Sequence, residues 1–182
     1  MKSQKNFFVS RGLLFVMCII GLLFLWHAGV AFSGAKKPNN KDRVLAPDFK
    51  LDVLDDGAKA LKDYRGKVVL LDFWSIGCPP CRRAVPHLAT LYEKYKSRGF
   101  VALGISFDRK EIEGLRSFIE KYSVTYPILL GDMDVARAYG VRSIPSVFIL
   151  DRKGYIRLHR IGYNEEIGNE IEKTVKDLIK EK

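Results

Sequence analysis

Apolar residues in this chain fall into three patterns, and each predicts a different element. Unbroken apolar runs come first. GLLFVMCIIGLLFLWHAGVAF, starting at Gly12, is apolar apart from His27, and no charge occurs from Gly12 to Ala35. VVLLDFW (Val68–Trp74), FVALGISF (Phe100–Phe107) and PSVFILD (Pro145–Asp151) are shorter runs of strand length. Strands buried on both faces read this way. Helical spacing comes second. It marks Val85, Leu88, Tyr92 and Tyr95 on a helix ending near Gly99, then Ile112, Leu115, Phe118, Ile119 and Tyr122 on another. A last helix carries Ile167, Ile171, Val175 and Leu178. Alternation comes third, at Asp48–Leu54 before the turn Asp55-Asp56-Gly57.

Shorter signals complete the order. Tyr126–Leu130 reads as a brief strand, and Asp132 or Asp134 caps a short helix that closes at Gly140. Arg152-Lys153-Gly154 turns the chain from the Pro145–Asp151 strand into a partner, Tyr155–Gly162. Strands alternating with helices and then a hairpin predict an α/β domain: a mixed central sheet with helices on both faces. Residues 47–182 form that domain, and polar AKKPNNKDRVLA, ending at Ala46, makes residues 36–46 a linker.

Charge changes the picture at the N-terminus. The net charge of +10 raises nucleic acid as a partner. Yet Lys2, Lys5 and Arg11 precede the long apolar run, and Lys36, Lys37, Lys41 and Arg43, set against Asp42, follow it, leaving only about +4 for residues 47–182. The basicity flanks a membrane-length segment and forms no binding stripe, so nucleic acid is set aside. Residues 1–11 are expected in the cytoplasm, with the domain exported. Residues 12–35 are then either a single-pass anchor in the cytoplasmic (inner) membrane or a signal peptide cut after Ser33-Gly34-Ala35. The run is long for a signal-peptide core, and Trp26 and His27 suit its outer interface, which favours the anchor. The domain would face the periplasm or cell exterior, or be secreted after cleavage.

Of the three cysteines, Cys18 lies inside the apolar run, leaving Cys78 and Cys81 to the domain. They sit in DFWSIGCPPCRRAVP, directly after a buried strand and at the start of a helix. Free N–H groups at a helix start favour a thiolate on the first cysteine. Pro79 and Pro80 fit the first helical positions and stiffen the loop, while Arg82 and Arg83 add positive field. Cys81, one turn on, is placed to resolve a mixed disulfide made by Cys78. Zinc normally takes four ligands, and no second pair exists here. A static crosslink across so short a loop constrains little of the unfolded chain. A reactive dithiol is the better reading, with no metal. Asp72, inside VVLLDFW, is either a buried acid with a raised pKa that moves protons or an aspartate pointing outward at the strand end.

WSIGCPPC, the segment SIPSVFILDRKG and the membrane segment together resemble the thioredoxin-like, membrane-tethered thiol–disulfide oxidoreductases of the TlpA/ResA group. The resemblance covers residues 47–182. It implies a thioredoxin-like fold with a strand–helix insert, for which Asp108–Asp132 is available. It implies that Cys78 is the exposed nucleophile and Cys81 the buried resolving thiol. Pro145 would be the cis-proline beside the dithiol, guiding the substrate backbone with Ile144, and Pro86 the proline that kinks the active-site helix. Pro79, Pro80 and Trp74 would complete the substrate contacts; Trp74 is otherwise core packing beneath the loop. Asp72 resembles the buried acid of thioredoxin. Ala84 stands where a glutamate is frequent in this group, and Gly77 where tryptophan is frequent, so the rim of the site should be flatter.

The cofactor expected is none beyond a redox-active Cys78–Cys81 disulfide. The partners expected are protein disulfide substrates, with apocytochrome c maturation as one use, and a membrane electron donor of the thiol-transfer type. The chemistry runs as a protein-disulfide reductase or, in the opposite direction, as an oxidant; a redox sensor is a third reading. A peroxidase needs a Pro-x-x-x-Thr-type pocket ahead of its cysteine, and Asp72–Cys78 contains neither proline nor threonine.

Overall fold

The computed structural model describes residues 43–55 and 57–181. The expected segments 1–11 and 12–35, and residues 36–42 of the linker, lie outside the described residues. Among the described residues no helix is long and apolar enough to cross a membrane.

The elements run β1 (Lys50–Asp52), β2 (Ala58–Ala60), a 3-10 turn (Leu61–Tyr64), β3 (Val68–Trp74) and α1 (Pro79–Tyr95). Then come β4 (Phe100–Ser106), α2 (Ile112–Lys121), β5 (Ile128–Leu130), α3 (Met133–Ala138), β6 (Ser146–Leu150), β7 (Ile156–Ile161) and α4 (Glu165–Lys180). The main sheet has the order β5-β4-β3-β6-β7. β3 is its centre, parallel to β4 and antiparallel to β6. β5 extends the parallel edge and β7 the antiparallel one. This is the thioredoxin-like architecture expected, with the insert supplied by α2 and β5.

All seven residues of β3 are buried, which the uninterrupted apolar run required. Alternation sends them to two cores. Val68, Leu70 and Trp74 meet Val85 and Leu88 of α1, Leu115 and Phe118 of α2, and Ile171 and Val175 of α4. Val69, Leu71 and Phe73 meet Val135 and Tyr139 near α3, with Leu51 and Leu61. Each fully buried Leu, Ile or Phe contributes about 1.5–3 kcal/mol of transfer free energy. Two packed faces therefore hold β3 rigidly, and whatever follows Trp74 starts from a fixed point.

Local signals explain the ends. Asp132, not Asp134, caps α3: its Oδ1 accepts the N–H groups of Asp134 and Val135 at 3.0 and 2.9 Å. β5 begins at Ile128, later than the sequence suggests, because Pro127 has no N–H for the ladder. The Asp48–Leu54 alternation yields the shorter β1, paired with the unforeseen strand β2 across the turn near Gly57 (φ 73°). Ala-Lys-Ala carries no apolar alternation long enough to announce itself.

Candidate active site

β3 ends at Trp74, and the next residues form a short loop before α1. Asp108 holds that loop. Its carboxylate accepts Ser75 Oγ at 2.7 Å, the Ile76 N–H at 2.9 Å and Ser106 Oγ at 2.7 Å. Asp108 follows β4, so one side chain ties the ends of two neighbouring parallel strands together. The sequence reading assigned Asp108 only to the start of the insert. The signal available was the Ser-Phe-Asp after a buried run, which is too common to single out.

Cys78 is the N-cap of α1, in extended backbone (φ −95°, ψ 110°). An N-cap side chain normally serves the N–H of the second or third helical residue. Pro79 and Pro80 fill the first two positions, so the Cys81 N–H is the one available, and it donates to Cys78 Sγ at 3.3 Å. Cys78 and Cys81 are joined as a disulfide with a Cα–Cα distance of 5.3 Å. The two sulfurs have different surroundings: Cys81 is fully buried, whereas Cys78 is partly exposed between exposed Gly77 and exposed Pro79. The helix start places its inward N–H beside Cys78 Sγ, while Cys81 sits in an apolar layer. Pro86 lies within the continuous helix α1, and Ala84 is fully buried.

The loop before β6 approaches from the other side. The Ile144–Pro145 peptide bond is cis, and the Ile144 carbonyl oxygen lies 3.7 Å from Cys78 Sγ. The Pro145 carbonyl accepts the Gly162 N–H at 2.8 Å, anchoring this loop to the end of β7. Thus Cys78, Pro79, Ile144 and Pro145 come together although 66 residues separate Cys78 from Ile144.

Asp72 does not point outward. It is fully buried on β3, opposite Gly104 of β4 and Val147 of β6. Neither carboxylate oxygen has a hydrogen-bond partner. Burial alone pushes its pKa up to about 7. Alternation along β3 places it on the same face as Leu70 and Trp74, the face that packs against Cys81.

Trp74, expected among the substrate contacts, is fully buried and packs on Phe118 with ring centroids 5.2 Å apart. It is core beneath the loop: on a strand covered on both faces, an indole has no route to the surface. Burial lowers the pKa of His87 and of His159, and His159 stacks on Phe148 at 4.0 Å while sharing a hydrogen bond with Ser146 Oγ at 2.9 Å. Among the described residues no group of three or more His, Cys, Asp or Glu is placed to hold a metal.

A mixed sheet with a cysteine pair at the start of the helix after its central strand, and a cis-proline loop against the first sulfur, defines a thioredoxin-like protein. The comparisons with known proteins agree, and the chain belongs to the AhpC/TSA family, whose model matches residues 43–159. It is 36% identical to the thioredoxin-like protein YneN of Bacillus subtilis over 138 residues, covering 75% of this chain and 81% of that protein. It is 31% identical to the thiol-disulfide oxidoreductase ResA of Halalkalibacterium halodurans over 179 residues, covering 97% of this chain and 98% of that protein. Among solved structures, a putative thiol:disulfide interchange protein DsbE from Chlorobium tepidum superimposes with a TM-score of 0.69 at 28% identity, covering 75% of this chain and 96% of the other. The thioredoxin domain of a thiol-disulfide oxidoreductase from Bacteroides vulgatus gives 0.65 at 31% identity, covering 72% and 96%. Its activity is that of a thiol–disulfide oxidoreductase.

Proposed function

We propose that this protein is a membrane-anchored, extracytoplasmic protein-disulfide reductase working through Cys78 and Cys81. The observation that carries the reading is the asymmetry of the dithiol: one partly exposed sulfur at a helix start, one buried sulfur behind it, and a buried acid on the same side of β3. The Cys78 thiolate attacks one sulfur of a substrate disulfide. The substrate bond breaks, its other sulfur leaves and takes a proton from water, and a mixed disulfide joins Cys78 to substrate. Cys81 then gives its proton to Asp72 and attacks Cys78 Sγ. The Cys78–Cys81 bond closes, and the second substrate sulfur departs and is protonated. Two electrons pass to the substrate, and the oxidised pair must be reduced again by a membrane dithiol donor.

Pro79, Pro80, Ile144 and Pro145 form the rim over which the substrate backbone lies. The apolar segment 12–35 is the anchor, with the domain on the periplasmic or outer side. Disulfides between the heme-site cysteines of apocytochrome c are the substrates that the resemblance to the TlpA/ResA group suggests. A Cys81→Ser variant should accumulate mixed disulfides with its partners in cells, and a Cys78→Ser,Cys81→Ser variant none. Failure to find any Cys78-dependent adduct sinks the proposal.

One observation favours the opposite direction. The helix start stabilises a Cys78 thiolate, and strong stabilisation of the reduced form makes an oxidant. The midpoint potential decides: a value near about −270 mV supports the reductant, and one near about −120 mV the oxidant.

A further inference from the structure

Two polar side chains near Asp72 have no role in the chemistry above. Tyr126 is 3% exposed and Trp74 is fully buried, and neither the Tyr126 hydroxyl nor Trp74 Nε1 has a hydrogen-bond partner. With the two Asp72 oxygens, these atoms make four of the six buried polar side-chain atoms left unpartnered among the described residues. Buried polar groups are nearly always satisfied, so their gathering in one layer calls for a reason.

Gly104 shows how they are gathered. It is the residue opposite Asp72 in the β3–β4 register. A Cβ built on Gly104 would stand 2.7 Å from Ile128 Cδ1, 3.0 Å from Trp74 Nε1 and 3.1 Å from Tyr126 Cε2. The Ile128 methyl, the indole edge and the phenol ring together occupy the space that a side chain opposite Asp72 would take. Packing alone does not need their polar atoms. The Tyr126 ring makes an edge contact with Tyr92 at 6.0 Å, which phenylalanine would make equally well. Burial and the charge of Asp72 both raise the Tyr126 pKa, so the phenol stays neutral and can only present its O–H dipole.

We propose that Tyr126 is a positioning residue for Asp72: its hydroxyl, with the indole N–H of Trp74, forms a buried polar wall over Gly104 that sets the proton affinity of the Asp72 carboxyl. Neutral O–H and N–H dipoles favour the ionised carboxylate and so oppose the effect of burial. Among the described residues no charged side chain shares that task. From β4 the facing residue is Gly104 and from β6 Val147, α1 contributes the cysteine pair, α4 contributes Ile171 and Val175, and no hydrogen bond or ion pair reaches Asp72. The consequence for turnover rests on Asp72 taking the Cys81 proton; the wall itself does not.

The test is carbon-13 NMR titration of aspartate carboxyls in the oxidised full-length chain, where the cysteines do not titrate. The Asp72 resonance is assigned by its loss in Asp72→Asn. Tyr126→Phe removes one hydroxyl and keeps the ring, and it should raise the Asp72 midpoint, the direction expected when a dipole that favours the carboxylate is lost. A midpoint that stays put or falls overturns the proposal. In the same variant, the pH profile of mixed-disulfide resolution should move with the NMR midpoint. A midpoint that moves without the kinetic profile upholds the wall and removes Asp72 from the proton path instead.

Discussion

Replacing Asp72 with asparagine should make the oxidised protein more stable at alkaline pH and less stable in acid, while slowing its chemistry. The carboxyl is raised from 3.8 to about 7 by burial alone. A folded-state pKa above the unfolded one means that the native state binds the extra proton between those values. Stability therefore falls as pH rises through that window. Below the unfolded value both states are protonated and nothing is lost. At each unit above it the native state loses about 1.4 kcal/mol, until the folded group ionises as well. The full loss at alkaline pH is then roughly 4 kcal/mol. Asparagine carries no charge to desolvate, so Asp72→Asn should recover most of that, less the cost of its own unpaired amide of about 1–3 kcal/mol. The net gain at about pH 8 is on the order of 1–3 kcal/mol, turning to a net loss near pH 4, where the wild-type carboxyl is neutral. Guanidinium denaturation of the oxidised chain at both pH values measures this. Insulin reduction by the same variant should slow by ~100-fold, the lower range for loss of a general base. A stability difference that does not change between the two pH values would refute the placement of a titrating acid in this core.

Other outcomes follow from the same geometry. Asp108→Ala removes the acceptor of two donors in the loop before Cys78 and of one at the end of β4, and should cost about 2–4 kcal/mol in chemical denaturation, with a lowered rate of substrate reduction because the loop is released. Phe118→Ala, which strips the ring packed on Trp74, should cost about 3–5 kcal/mol by the same measurement. The pair Lys94–Glu172 is largely exposed, so a double-mutant cycle on it should return less than about 1 kcal/mol. Peroxide consumption by the reduced protein should be negligible beside its rate of insulin reduction.

Much of the fold could be read along the chain because burial and periodicity are local. The run Val68–Trp74 announced a strand covered on both faces, and the structure places it at the centre of the sheet. The spacing of Leu115 and Phe118, and of Ile171 and Val175, marked the faces that pack on that strand. Strand ends were less legible. β2 has three residues of weak pattern and exists because β1 pairs with it, and β5 is trimmed by the missing N–H of Pro127. Trp74 illustrates the limit: an aromatic beside a reactive loop reads equally well as rim or core, and only the helices packed over it decide.

The sequence by itself determined the chemistry that is contiguous. Cys78, Pro79, Pro80 and Cys81 share one helical turn, and the helix start acts on the first sulfur through bonds only a few residues long. Tertiary structure decided everything that converges from afar. Ile144 reaches Cys78 because β6 lies next to β3, and Asp108 holds the loop because β4 ends beside β3. The proton affinity of Asp72 is the sharpest case. It depends on which residues cover both faces of β3 and on Gly104 leaving room opposite, and desolvation is a property of that enclosure that no stretch of neighbouring residues encodes.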